Sequence, residues 1–172
     1  NRPDAAGLTI ARELGITTRV VDHSTFPSRE DFDTELDKTI AGFAPDYILL
    51  AGFMRILGDS FINKNKELLI NIHPSLLPAF TGMHTHKRAL TQGVKIHGCT
   101  VHFVTTDLDS GPIIAQAAVP VLNDDDVASL AARVHEAEHR LYPLALKYLL
   151  EGRVVVQDGR CVIAGTGAQS PL

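Results

Sequence analysis

The chain reads as an α/β protein: a doubly wound, mostly parallel sheet with an antiparallel hairpin at its C-terminal end. Three observations predict this. Short apolar runs at residues 47–51, 68–72, 99–104 and 113–119 have the length and side-chain content of buried strands. Stretches with helical spacing lie between and around them, so strands alternate with helices. Asp158-Gly159 separates two four-residue runs, and that dipeptide suits the positive φ angles of a two-residue hairpin turn.

Residues 4–14 place Ala5, Leu8 and Ala11 at helical spacing and stop at Gly15, a residue suited to the position after a helix. A short strand is expected at 19–21. Ser28, followed at the third position by Asp31, resembles a capping box with Asp in place of Glu. It opens a helix to about Gly42 with Phe32, Leu36, Ile40 and Phe43 as its apolar positions. Pro45 and Asp46 break the chain before the strand at 47–51. A short helix at 59–65 precedes the strand at 68–73, and a helix at 85–93 precedes the strands at 99–104 and 113–119. From Val127 to Leu150, residues Val127, Leu130, Ala131, Val134, Leu141, Ala145 and Tyr148 form one helical face, expected to kink or break at Pro143. The hairpin, 154–157 and 160–163, follows. Residues 1–164 are expected to form one domain and 165–172 a flexible polar tail.

With 172 residues, 45% of them hydrophobic, the chain is long enough for a sizeable core. A net charge of -4 gives no global basic surface, which argues against nucleic-acid binding. No apolar run has the length of a membrane span, and no signal-peptide pattern opens the chain. Cys99 and Cys161 are far apart in sequence and fit reduced thiols, hence a cytoplasmic setting. The first residue is Asn rather than Met, which leaves room for residues before it.

Chemistry concentrates in Asn71-Ile72-His73-Pro74-Ser75-Leu76-Leu77-Pro78. Side chains alternate along a strand, so Asn71 and His73 fall on one face. Ligands of open α/β sheets bind beyond the carboxyl ends of strands, where this segment sits. A second apolar strand leads into Asp107-Leu108-Asp109-Ser110-Gly111-Pro112, whose tight turn can bring Asp109 to the same edge. An Asn amide can donate to a developing oxyanion. An imidazole beside a carboxylate can deliver a proton. No protein nucleophile is needed if the substrate supplies an amine, so the trio suits direct acyl transfer. The bland alternative is that His73 is structural, Asn71 fixes a turn, and Asp107 is an ordinary loop residue. Ser75 lacks the Gly-x-Ser-x-Gly elbow, and Cys99 suits core packing.

Together with Ala51-Gly52-Phe53-Met54-Arg55-Ile56-Leu57, Gly82-Met83-His84-Thr85-His86 and the run from His97 to Val104, these segments resemble the phosphoribosylglycinamide formyltransferases. These are the folate-dependent transformylases of de novo purine synthesis. The resemblance runs from Asn1 to the hairpin, with the motifs in family order. It implies Asn71, His73 and Asp109 as catalytic trio, with Asp109 favouring the imidazolium of His73. It implies that Arg29, Met54, Arg55, Ile56, Leu57, Asn71, Thr105, Thr106, Asp107, Leu108 and Asp109 hold 10-formyltetrahydrofolate as co-substrate, Arg29 facing its carboxylates. His135, Glu136, Ala137 and Glu138 match the segment that meets the ribonucleotide, Glu138 standing where ribose hydroxyls are bound. No metal is implied. Small-molecule substrates, no nucleic acid, no membrane, and a monomer or weak homodimer in the cytoplasm are the expected setting.

One departure stands out. The family begins with a strand, a Gly-Ser-Asn phosphate loop and a helix, on the order of 30 residues with the next strand, and this chain starts after them. The expected domain is therefore an N-terminally incomplete formyltransferase, with the loop supplied by residues before Asn1. Related rivals are formyltetrahydrofolate hydrolase, with water as acceptor, and methionyl-tRNA formyltransferase, which has Gly where Pro74 stands. A catalytically silent folate-binding protein is a further alternative. A zinc peptidase is the remaining one, since His135-Glu136-Ala137-Glu138-His139 matches H-E-x-x-H and puts two histidines on one helical face.

Overall fold

The computed structural model describes residues 1–165, so the expected tail beyond Gly165 lies outside the described residues. These group into two compact units, one of Asn1–Asp46 with Met54–Asn65, the other of Tyr47–Phe53 with the chain from Lys66 onward.

In the first unit, helix α1 (Ala6–Glu13) buries none of its side chains, and α2 (Arg29–Ala41) carries the organising contacts. The Ser28 hydroxyl accepts from the Asp31 amide at 3.1 Å, capping α2 as expected. The Asp31 carboxylate accepts from that same hydroxyl instead of reaching the Ser28 amide, so the reciprocal half of the box is missing. Phe32 is buried, with Phe26 edge-on and the Arg55 guanidinium over its ring at 5.3 Å. The buried Asp33 carboxylate accepts from the Gly58 amide at 2.7 Å, ahead of α3 (Asp59–Lys64). The strand expected at 19–21 does not form. A strand exists only by sharing a ladder, and no described strand pairs with these residues; a short 3-10 turn, His23–Thr25, follows them instead.

The second unit is built on a four-stranded sheet in the order β1 (Ile48–Leu50), β2 (Leu69–His73), β3 (Ile96–Phe103), β4 (Ile113–Pro120). The sheet is mixed, not mostly parallel. β1 and β2 run parallel, whereas β2–β3 and β3–β4 are antiparallel. The physical reason for the last pairing is connection length: residues 104–112 are too few for a parallel crossover, which takes about a dozen or more. α4 (Thr85–Gln92) lies between β2 and β3 in sequence, yet the chain re-enters antiparallel.

α5 (Val127–Leu150) packs Leu130, Val134, Leu141 and Ala145 onto β3 and β4, and this interface is the main core. Its N-terminus closes with a true capping box between Asp126 and Ser129. The break expected at Pro143 is absent: α5 is one helix of 24 residues with the proline inside it. A proline there costs about 3 kcal/mol in a free helix. Here buried residues on both sides of it, Leu141 and Ala145, hold the helix to the sheet. The Tyr142 hydroxyl is bonded to the carbonyls of Leu50 and Ile70, each at 3.0 Å, and ties α5 to β1 and β2. The hairpin β5 (Val154–Gln157) and β6 (Arg160–Ile163) forms as expected, with Asp158 at φ 48° and Gly159 at φ 74°. Among the described residues no helix is long and apolar enough to cross a membrane.

Candidate active site

β2 carries Asn71 and His73, and its pairing with β3 sets Asn71 opposite His102 and His73 opposite Thr100. Directly opposed residues share a face, so the spacing of two does place these groups together. The segment after His73 is bolted to the sheet. The buried Thr100 hydroxyl donates to the Ser75 carbonyl at 2.7 Å and accepts from the Leu77 amide at 3.0 Å and the Gln116 side chain at 2.9 Å. Ser75 spends its own hydroxyl on the Ala79 carbonyl at 2.6 Å, and the Leu77–Pro78 bond is cis.

The His73 ring is buried between two acceptors. Its Nε2 lies 2.9 Å from the Phe80 carbonyl, and its Nδ1 lies 3.5 Å from Asp109 Oδ2. A carbonyl only accepts, so Nε2 carries a hydrogen, while Nδ1 faces the carboxylate at ion-pair distance. The same Asp109 oxygen accepts from the Gly82 amide at 2.7 Å. Asp109 reaches this place because its turn is tight. Its own φ is 50°, and a Cβ on Gly111 would stand 1.9 Å from the Phe103 carbonyl, so only glycine fits there.

One residue of this centre was not legible as such: His102. Burial chiefly lowers its pKa, and its Nδ1 meets the Phe103 carbonyl at 2.8 Å. The ring is therefore neutral with Nε2 free to accept, and Asn71 Nδ2 lies 3.3 Å from it. That contact fixes which way the Asn71 amide points and leaves its second hydrogen for a ligand. A polar residue amid the apolar run of β3, opposite Asn71, was the available signal.

Behind the 79–84 loop lies a second histidine pair. His97 is 1% exposed, edge-on to Phe80 and to His86, with neither ring nitrogen in a well-formed hydrogen bond; the Pro74 backbone only slightly offsets the burial. Burial, then the charges of His86 and His73, push its pKa down to about 4. An unfolded histidine titrates near 6.5, so between about pH 6.5 and about pH 4 the unfolded state binds more protons. Stability present above this window is lost as pH falls through it, by up to about 3 kcal/mol. His97→Phe should accordingly lose less stability between pH 6.5 and 4.5 in urea titrations. An equal acid loss in parent and variant would remove His97 from the explanation.

Other expected positions are placed as follows. Met54 and Ile56 are exposed, Leu57 is buried, and Arg55 lies over Phe32 with its Nε buried and without a hydrogen bond. Arg29 is half-exposed beside Glu30. Thr106, Asp107 and Leu108 are exposed at the turn, and the Thr105 hydroxyl donates to the Asp107 carbonyl at 3.2 Å. On α5, Glu138 is largely covered and accepts from His135 Nδ1 at 3.0 Å. Glu136 faces solvent, and Ala137 points into the core. The His139 ring is tilted by 58° to that of His135 with centroids 4.1 Å apart, and among the described residues no group of three or more His, Cys, Asp or Glu could hold a metal ion. Burial pushes the Cys99 thiol up to about 12, in keeping with a packing role.

Residues 1–146 match the family model described as Formyl transferase. The chain is 46% identical over 165 residues to phosphoribosylglycinamide formyltransferase of Escherichia coli, a match covering 96% of this chain and 78% of that one. It is 48% identical over 158 residues to the trifunctional purine biosynthetic protein adenosine-3 of Gallus gallus, covering 92% of this chain but 16% of that much longer protein. The crystal structure of glycinamide ribonucleotide transformylase 1 from Symbiobacterium toebii superposes with a TM-score of 0.91 at 45% identity, covering 94% of this chain and 76% of that one. With the family model matched over residues 1–146 and 46% identity to a relative covered to 78% of its length, the chain belongs to the formyl transferase family.

Proposed function

We propose that this chain transfers the formyl group of 10-formyltetrahydrofolate to the amine of 5-phosphoribosylglycinamide, a step of de novo purine biosynthesis. The carrying observation is the His73 ring held between the Phe80 carbonyl and the Asp109 carboxylate, beside an Asn71 amide aimed by His102. Family membership supports the formyl group as cargo and small molecules as substrates. Ser75 is engaged by Ala79 and the Cys99 thiol is held protonated, so neither supplies an acyl-enzyme nucleophile.

The substrate amine attacks the formyl carbon directly. A new C–N bond forms while the carbonyl oxygen takes up negative charge, which the free hydrogen of the Asn71 amide and the protonated His73 stabilise. The bond to the folate N10 then breaks, and the proton lost by the attacking amine ends on N10, carried by His73 or water. Asn71 and the segment from Thr105 to Asp109 hold the folate. His135 to Glu138 meets the ribonucleotide, with Glu138 on the ribose hydroxyls. A cytoplasmic monomer or weak homodimer fits two unpaired cysteines.

The test is turnover of formyl folate with and without the ribonucleotide. Consumption that requires the ribonucleotide supports the proposal; formate release in its absence points to the hydrolase instead. Glu138→Ala should raise the ribonucleotide KM about tenfold and leave the folate KM within about twofold. An unchanged ribonucleotide KM would move the ribose site elsewhere.

A further inference from the structure

The loop between β2 and α4 touches both partners of the His73 centre. Phe80 offers its carbonyl to the ring, and two residues later Gly82 offers its amide to Asp109. The loop adopts an unusual backbone to do so. Phe80, Gly82 and His84 have φ angles of 56°, 73° and 58°, and non-glycine residues stay in that region only where their surroundings hold them.

What holds the loop is Arg88, on the exposed side of α4. Its Nη1 donates to the carbonyl of Thr81, the residue between the two contact points, and faces the Met83 carbonyl at 3.5 Å. Its guanidinium also covers the Phe80 ring at 5.6 Å. One guanidinium thus meets three of the loop's residues, two through a single nitrogen and the third through its position over the ring.

We infer that Arg88 is a positioning residue: by clamping the loop at Thr81, it sets the Phe80 carbonyl and the Gly82 amide against His73 and Asp109. This rests on the reading of His73 as the group that handles the proton. Arg88 makes none of the substrate contacts assigned above, and its effect passes through those two backbone groups.

The experiment pairs kinetics with a direct view of the ring. Arg88→Ala should lower kcat about tenfold, with both KM values held within about twofold. Arg88→Lys should fall between parent and alanine variant, and it carries the same test should the alanine variant fail to fold. In a His73→Ala background the alanine change should cost less than about twofold further, because the ring that both loop contacts serve is gone. In protein labelled with nitrogen-15 at histidine, the His73 ring resonances should move in Arg88→Ala. A parent-like kcat, an equal loss in the His73→Ala background, or unmoved His73 resonances would each overturn the inference. Moved resonances in a protein whose parent shows no formyl transfer would leave the clamp standing and remove the assigned reaction.

Discussion

His73→Ala is expected to lower kcat by about a thousandfold while the dissociation constant for formyl folate changes less than about threefold. A thousandfold is about 4 kcal/mol of transition-state stabilisation. That is the size expected if one group both stabilises the oxyanion and supplies the proton for the departing nitrogen. The ring is buried between the two groups, so the variant strands the Phe80 carbonyl, whereas the Asp109 carboxylate keeps the Gly82 amide. A buried group left unpaired costs about 1–3 kcal/mol of stability. Rates must therefore be normalised to folded protein, and folate binding measured separately by titration. The decisive result is a near-normal kcat in folded variant, which would refute His73 as the reacting group. A loss shared equally between kcat and folate affinity would instead make it a binding residue.

Much of this centre was legible because it depends on local rules. The period of two along β2 puts Asn71 and His73 on one face whatever lies around them, and Gly111-Pro112 announces a turn tight enough to bring Asp109 back. Parts that depend on partners were hidden. Residues 19–21 have strand composition but no ladder to join, and Pro143 sits in a helix that tertiary packing carries through it. β3 returns antiparallel to β2 although α4 lies between them, and hydrophobic pattern does not encode that direction. The short connection at 104–112 did encode the antiparallel return of β4 and was outweighed by the strand–helix alternation. His102 was hidden for a related reason: its role appears only once the β2–β3 register sets it across from Asn71. Arg88 looks like an ordinary solvated helix residue until the loop carbonyls are seen beside it.

Asp109→Asn is expected to lower kcat about a hundredfold. The substitution isolates charge from shape. Asp109 Oδ2 serves both the Gly82 amide at 2.7 Å and the His73 ring at 3.5 Å, and an asparagine oxygen can still accept from Gly82. What disappears is the negative charge facing the ring. Opposite charges about 4 Å apart are worth about 4 kcal/mol at an effective dielectric near 20, before the cost of desolvating them. A hundredfold loss, about 2.7 kcal/mol, lies inside that bound. A folded variant with a near-parental kcat would mean that Asp109 acts only by anchoring the loop through the Gly82 amide.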